Sequence, residues 1–236
     1  MKKISVFIGY DSKEKIASTI CKFSLEKNTT IPLSIKFLKI KELRKKKIYK
    51  KKIYKRNNDP KSSTEFTFSR FLVPYLSKYK GWSIFCDCDF LWLENLKELE
   101  KKFNKKYAVM CVKHNYKPRK NFKFDNKKQY IYPRKNWSSL VLWNNEHLSN
   151  KKLTLKMINS KDGKFLHRFG WLKDNEIGSI PYTWNWLAGY YKVKKNIKPK
   201  AIHYTDGGPW HKGYENSELS DKWNNYLKLY LKQNKK

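Results

Sequence analysis

Short apolar runs alternate along the chain with segments of helical period. Lys3 to Tyr10 (KISVFIGY) is dense in Val, Ile and Phe and ends at Gly-Tyr-Asp, which predicts a buried strand. Ser12 is the candidate N-cap of a helix in which Ile16, Ile20, Cys21 and Phe23 recur at helical spacing. Ile31 to Ile40, opened by Pro32, predicts a second strand, and strand–helix–strand begins an α/β sheet. Ser62-Ser63-Thr64-Glu65 offers caps ahead of Phe66, Phe68, Phe71, Leu72 and Tyr75, predicting a helix that carries Arg70. The run Gly81 to Phe85 predicts a short strand that leads straight into Cys86-Asp87-Cys88-Asp89. Beyond it the pattern predicts a helix over Leu96–Phe103, a strand over Tyr107–Lys113, a polar basic loop over 114–135 and a strand over Trp137–Trp143. Thr154–Ile158 and Trp171–Ile177 read as helical, and Ala201–Tyr204 as a strand end before the turn Asp206-Gly207-Gly208-Pro209-Trp210. At the C-terminus Leu219, Trp223, Tyr226, Leu227 and Tyr230 share one helix face, with Lys222 and Lys228 on the polar side. No linker composition divides the chain. The expectation is a single α/β domain over 1–218, followed by a basic amphipathic helix over 219–236.

Composition narrows this picture. A chain of 236 residues is long enough for one large domain, and 16% aromatic residues, nine of them Trp, are more than a disordered chain carries. No window approaches the ~18 consecutive apolar residues of a membrane span. The apolar run after Met-Lys-Lys is too brief for a signal-peptide core, so the sequence reads as cytoplasmic. The net charge is +34, from 54 basic and 20 acidic residues. That excess has two readings: codon bias in an A/T-rich genome, or a polyanionic neighbour such as nucleic acid, an anionic membrane or an acidic glycan. Only six of the basic residues are Arg, the residue that reads base edges, which weighs against sequence-specific nucleic-acid binding. The pentapeptide KKIYK occurs at 46–50 and again at 51–55, too short for a repeat architecture, and reads as an exposed loop or frayed helix. The four Cys (21, 86, 88, 111) lie in apolar runs without zinc-ligand spacing, as buried reduced thiols do.

The chemistry concentrates at Asp87-Cys88-Asp89. Alternation along a strand puts both carboxylates on one side and Cys86 and Cys88 on the other. Two carboxylates that close repel each other unless a cation lies between them, and Mg²⁺ or Mn²⁺ is the natural occupant. Ligands of open α/β sheets also gather at the carboxyl ends of strands. A dehalogenase-type phosphatase carries Asp-x-Asp as well, but near the chain start and with Thr or Val two residues beyond it, where Leu91 stands here. His203, at a strand end, reads on its own as a hydrogen-bonded strand histidine. His114, His147, His167 and His211 read as surface or structural, and Trp184, Trp186 and Trp210 as core, with one or two of them, beside Asn185 and the Gly-Gly turn, placed to stack on a sugar face.

In order along the chain, the strand Lys3–Tyr10, STEFTFSRFLVPYL, the strand-borne DCD, PRKNWSSLVLWNN and IHYTDGGPW resemble segments of GT-A glycosyltransferases, in particular family 8 and its bacterial relatives. The similarity spreads over about residues 3–212. It implies a GT-A-type, Rossmann-like mixed sheet flanked by helices, a nucleotide-sugar donor (usually a UDP-sugar), bound Mn²⁺ or Mg²⁺, and transfer with retention. Carried over by position, Asp87 and Asp89 match the metal-binding carboxylates and His203 the histidine that completes the metal site. Tyr10 and Asp11 fall where the nucleoside is contacted, and Arg70 near the donor. Asn136, Ser138 and Ser139 line the implied sugar pocket, and Asp174 matches a sugar-contacting acid, which makes Asn136 and Asp174 the implied catalytic pair. The C-terminal motif departs from the family's: the turn after His203 is one residue shorter and lacks the Lys before Pro-Trp. Gly207, Gly208 and Lys212 are the candidates to replace it, through backbone N–H groups and a displaced charge. The acidic triplet of the family is here Asp174-Asn175-Glu176.

The expectation is therefore a metal-dependent glycosyltransferase with a glycan or lipid-linked acceptor. Its rival is a non-enzymatic polyanion-binding protein in which Lys and aromatic residues contact nucleic acid, but no nucleic-acid-binding motif supports that. The basic C-terminal helix has two readings: it packs on the domain with a solvated tail, or it contacts an anionic membrane on the cytoplasmic side with its aromatic face partly in lipid.

Overall fold

Val6, Phe7 and Ile8 lose nearly all contact with solvent, the environment that a continuous apolar strand requires on both faces of a sheet. The computed structural model describes residues 3–45, 62–115 and 133–234. Both KKIYK copies and most of the 114–135 segment lie outside the described residues. The strands are β1 (Ile4–Gly9), β2 (Leu33–Leu38), β3 (Trp82–Cys86), β4 (Phe90–Trp92), β5 (Val109–Cys111), β6 (Leu140–Asn144), β7 (Ile177–Ser179), β8 (Trp186–Leu187) and β9 (Ala201–His203). Six of them form one sheet in the order β2-β1-β3-β6-β5-β7, and β4-β9-β8 form a second. β1 runs parallel to β2 and β3, β6 is antiparallel to both β3 and β5, and β7 is parallel to β5. The carboxyl ends of β1, β3, β5 and β7 and the amino end of β6 therefore share one rim. This is the mixed α/β single domain that the sequence predicts.

Several local expectations change. Asp11, not Ser12, is the cap: its Oδ1 accepts from Lys13 N–H at 3.0 Å, and a 3-10 turn over Ser12–Glu14 precedes the helix Lys15–Asn28. The expected helix after Ser62 begins only at Ser69, because Thr64 and Thr67 bond each other's backbone and hydroxyls into a turn. It is a 3-10 turn, Ser69–Leu72, followed by one α-turn, Val73–Leu76, in which Pro74 takes a first-turn position where its missing N–H costs nothing. Trp137–Ser139 is a 3-10 turn rather than strand, entered through Asn136 in the left-handed region at φ 63°. In Trp171–Ile177 only Asp174–Glu176 is helical, and Ile177 already opens β7.

The C-terminal helix spans Ser220–Gln233, with Lys222 and Lys228 exposed as expected. Its aromatic face is not available to lipid. Trp223 is buried with Ile20, Leu91, Ile202 and Tyr204, and Phe23 meets Tyr226 and Tyr230 edge-on at 6.4 and 5.5 Å. Asn28 Nδ2 donates to Tyr226 Oη at 2.6 Å. The first helix and the second sheet thus occupy the face that the membrane reading places in lipid. Among the described residues no helix is long and apolar enough to cross one.

Candidate metal and donor site

The two aspartates sit where the chain changes sheets. β3 ends at Cys86, and Asp87 N–H still donates to Ser139 C=O at 2.9 Å, continuing the β3–β6 ladder. The backbone then turns at Cys88-Asp89 into β4, whose Phe90 pairs with His203 of β9. The pair therefore lies on a tight turn rather than along a strand, while Cys86 and Cys88 are buried and both carboxylates are partly exposed. All four cysteines are free and buried. Asp87, Asp89 and His203 offer ligand atoms that all lie within 4.8 Å of one another. His203 Nε2 is 3.4 Å from Asp89 Oδ2, and its ring stacks on Phe90 at 4.6 Å.

The orientation of His203 is set by a chain of buried amides and hydroxyls. Ser139 Oγ donates to Asn136 C=O at 2.6 Å and so accepts from Asn185 Nδ2 at 2.9 Å. That fixes Asn185 Oδ1 as the acceptor facing His203 Nδ1 at 3.0 Å. His203 then carries its proton on Nδ1, and the Nε2 lone pair is left for the carboxylate side, the tautomer that a metal ligand needs. Two carboxylate oxygens and one imidazole nitrogen form a mixed O/N set of the kind that holds a divalent ion. Asn185→Leu should weaken Mn²⁺ binding roughly 10–100-fold in isothermal titration, as losing such an orienting partner does elsewhere. Unchanged affinity would mean that Asn185 does not orient the ligand.

Arg70 pairs with one carboxylate of the triad. Its Nη1 lies 2.8 Å from Asp87 Oδ1 and donates to Ser138 C=O at 2.9 Å. The guanidinium carbon stands 5.1 Å from the ring centres of both Phe66 and Phe85, a cation–π clamp that holds it rigidly. Arg70 thus presents Asp87 instead of standing apart from it.

The other candidates divide. Asn136 contributes through its carbonyl and also donates from Nδ2 to Thr205 Oγ1 at 3.3 Å. Ser138 Oγ bonds His167 Nδ1 at 2.8 Å. Both oxygens of Asp11 are committed to backbone, Oδ1 to Lys13 N–H and Oδ2 to Glu65 N–H, each at 3.0 Å. Tyr10 lies half-buried beside it, with Lys39 Nζ 5.1 Å from its ring centre. Asp174 is 88% exposed at its side chain and is ion-paired to Arg134, away from the metal cluster's own hydrogen bonds. Glu176 serves its own turn, accepting from Lys173 N–H and from the Ser149 hydroxyl. In the C-terminal turn Gly207 adopts φ 128° and Lys212 is exposed. Next to it His211 approaches Glu14, Nε2 to Oε2 3.8 Å, and burial raises the Glu14 carboxyl above its ordinary range.

Gly208 is required by contact. A Cβ there would fall 2.1 Å from the Trp210 ring, which packs on Tyr204 and Trp223. Gly208→Ala should cost about 1–3 kcal/mol, read as a melting point lower by several degrees. A wild-type melting curve would show that Trp210 swings away freely.

Sequence reasoning missed Asn185 and His114. The signal for the first was a lone amide between Trp184 and Trp186, both buried, where a polar group must find a partner. His114 stood at the end of an apolar run and was read as structural. It lies at the end of β5 on the same rim, and burial, with His203 nearby, pushes its pKa down to about 3.

This mixed sheet flanked by helices is the fold of solved GT-A glycosyltransferases. The bifunctional glycosyltransferase WbbM superposes with a TM-score of 0.65 at 14% identity over 95% of this chain and 49% of its own. The glycosyltransferase GlyE of Streptococcus pneumoniae gives 0.64 at 15% identity over 96% of this chain and 60% of its own. The chain thus spans about half to three-fifths of these proteins. It is also 47% identical to Protein CDI of Arabidopsis thaliana over 238 aligned positions, all of this chain and 90% of that protein. The chain belongs to the Protein CDI family. No protein-family model matches it.

Proposed function

We propose that this protein is a metal-dependent glycosyltransferase that moves a sugar from a nucleotide-sugar, a UDP-sugar, to a glycan acceptor with retention at the anomeric carbon. The observation that carries the reading is the triad Asp87, Asp89 and His203, gathered at the rim of a GT-A sheet with the His203 lone pair turned toward the carboxylates. Sugar transfer breaks the bond from the anomeric carbon to the diphosphate, whose oxygen keeps the electron pair, and joins that carbon to an acceptor oxygen, whose proton passes to the departing diphosphate. Charge accumulates on the departing diphosphate. Bound at the triad, Mn²⁺ would supply positive charge against that leaving group.

The chain's own residues do the positioning. Arg70 fixes the rotamer of Asp87, Asn185 fixes the ring of His203, and Ser139 with Asn136 holds Asn185. In this reading the donor sugar lies along the Asn136–Ser139 turn, with the backbone N–H groups of Gly207 and Gly208 and the charge of Lys212 near the diphosphate. Asp174 reaches the sugar only by exchanging its ion pair with Arg134. UDP should raise the melting temperature in the presence of Mn²⁺ and much less in EDTA, because a ligand that binds only the native state stabilises it by mass action. A shift of equal size in EDTA, or none with any nucleotide, would overturn the reading.

A further inference from the structure

We propose that His114, Tyr191 and Tyr182 form a pyranose-binding subsite beside the metal triad, and that it takes the acceptor sugar. This rests on the glycosyltransferase reading above. β5 runs in the same direction as β3, so His114, three residues past Cys111, emerges on the same rim as Asp87. Tyr182 emerges there too, just after β7. A single 3-10 turn, Tyr182–Asn185, carries Tyr182 at one end and the anchor of His203 at the other.

The chemistry is that of a carbohydrate site. Tyr182 is 37% exposed, stacks on Trp186 at 5.6 Å and leans on Tyr191 at 5.0 Å. Tyr191 stacks on the His114 ring at 6.0 Å, and its hydroxyl is 2.7 Å from His114 Nδ1. Tyr182, and Tyr191 in part, are open to solvent and offer apolar faces to the C–H side of a pyranose, with Trp186 and His114 backing them. His114 is only 6% exposed, and its Nε2 is buried with no hydrogen-bond partner among the described residues. A buried polar atom left unpaired is costly and asks for a partner, which a sugar hydroxyl would be. The His114 pKa of about 3 keeps the ring uncharged at neutral pH, which suits a hydroxyl and not a phosphate. Trp137 Nε1 donates to His114 C=O at 3.0 Å and ties the backbone at His114 to the turn ahead of β6. Diphosphate and acceptor therefore have separate places, the first at the triad and the second at the aromatic cluster.

The test uses the full chain with Mg²⁺ and UDP, titrated with methyl pyranosides of glucose, galactose, mannose and xylose and followed by the imidazole ¹H–¹⁵N signals. At least one pyranoside should move the His114 signals. Tyr182→Ala and His114→Gln should weaken its binding by roughly tenfold or more, as losing a stacking face or a buried hydrogen bond does. UDP affinity in Mn²⁺ should stay at the wild-type value in both. Tyr191→Phe keeps the ring and should shift the His114 resonances even without sugar. If every pyranoside leaves His114 unmoved while UDP binds, or if Tyr182→Ala binds the pyranoside as well as wild type, the subsite is overturned. If wild type fails to bind UDP, the donor reading fails instead.

Discussion

Asp89→Asn is expected to abolish sugar transfer and to weaken Mn²⁺ binding by more than roughly a hundredfold, since even an outer-shell change costs 10–100-fold. The substitution keeps the shape of the side chain and removes one of two charges that repel across the turn, so stability should hold or rise slightly. Asp87→Asn should lose the metal equally but behave differently in denaturation. Asp87 is the counter-ion of Arg70, and its neutralisation leaves neutral acceptors, the new amide oxygen and the Ser138 carbonyl, beside a guanidinium that is 7% exposed between two aromatic rings. Asp87→Asn should therefore be the less stable of the two, although both are equally inactive. Titration with Mn²⁺ and urea melts on both variants check this. Full Mn²⁺ affinity in Asp89→Asn would remove the triad from the mechanism.

The site was legible where a local pattern fixed a position, and illegible where tertiary contacts did. A strand of Trp, Ile and Phe running into two carboxylates announced Asp87 and Asp89 without any knowledge of the sheet. His203 was legible only through resemblance, because its role depends on β9 pairing with β4 at Phe90. The pairing of Arg70 with Asp87 spans seventeen residues and a change of element. Nothing in the local sequence says that the Arg faces a carboxylate instead of a ligand. Asn185 was harder still, since its value lies in a relay through Ser139 to Asn136, which no spacing rule encodes. The C-terminal helix shows the opposite failure. Its amphipathic pattern was read correctly, but a pattern says that a face will be covered and not by what. Phe23 and Asn28 of the first helix cover it.

Arg70→Met is expected to destabilise the protein by about 3 kcal/mol, the lower end of what breaking a buried ion pair costs. The lower end applies because the Asp87 side chain remains 14% exposed and can recover some water. For a chain of this length that is a melting point lower by roughly 10 °C. Met keeps the apolar packing between Phe66 and Phe85, so the loss reports the stranded charge and not a cavity. Adding Asp87→Asn to Arg70→Met should restore part of the stability, because the carboxylate that lost Arg70 is then neutral, and the double-mutant cycle measures the coupling. Excess Mn²⁺ should also stabilise Arg70→Met more than wild type, since the ion would replace the missing cation beside Asp87. A different result separates the two roles available to this residue. If Arg70→Met melts like wild type but binds UDP poorly, the guanidinium works on the donor as the sequence first implied, and its contact with Asp87 is a resting pose.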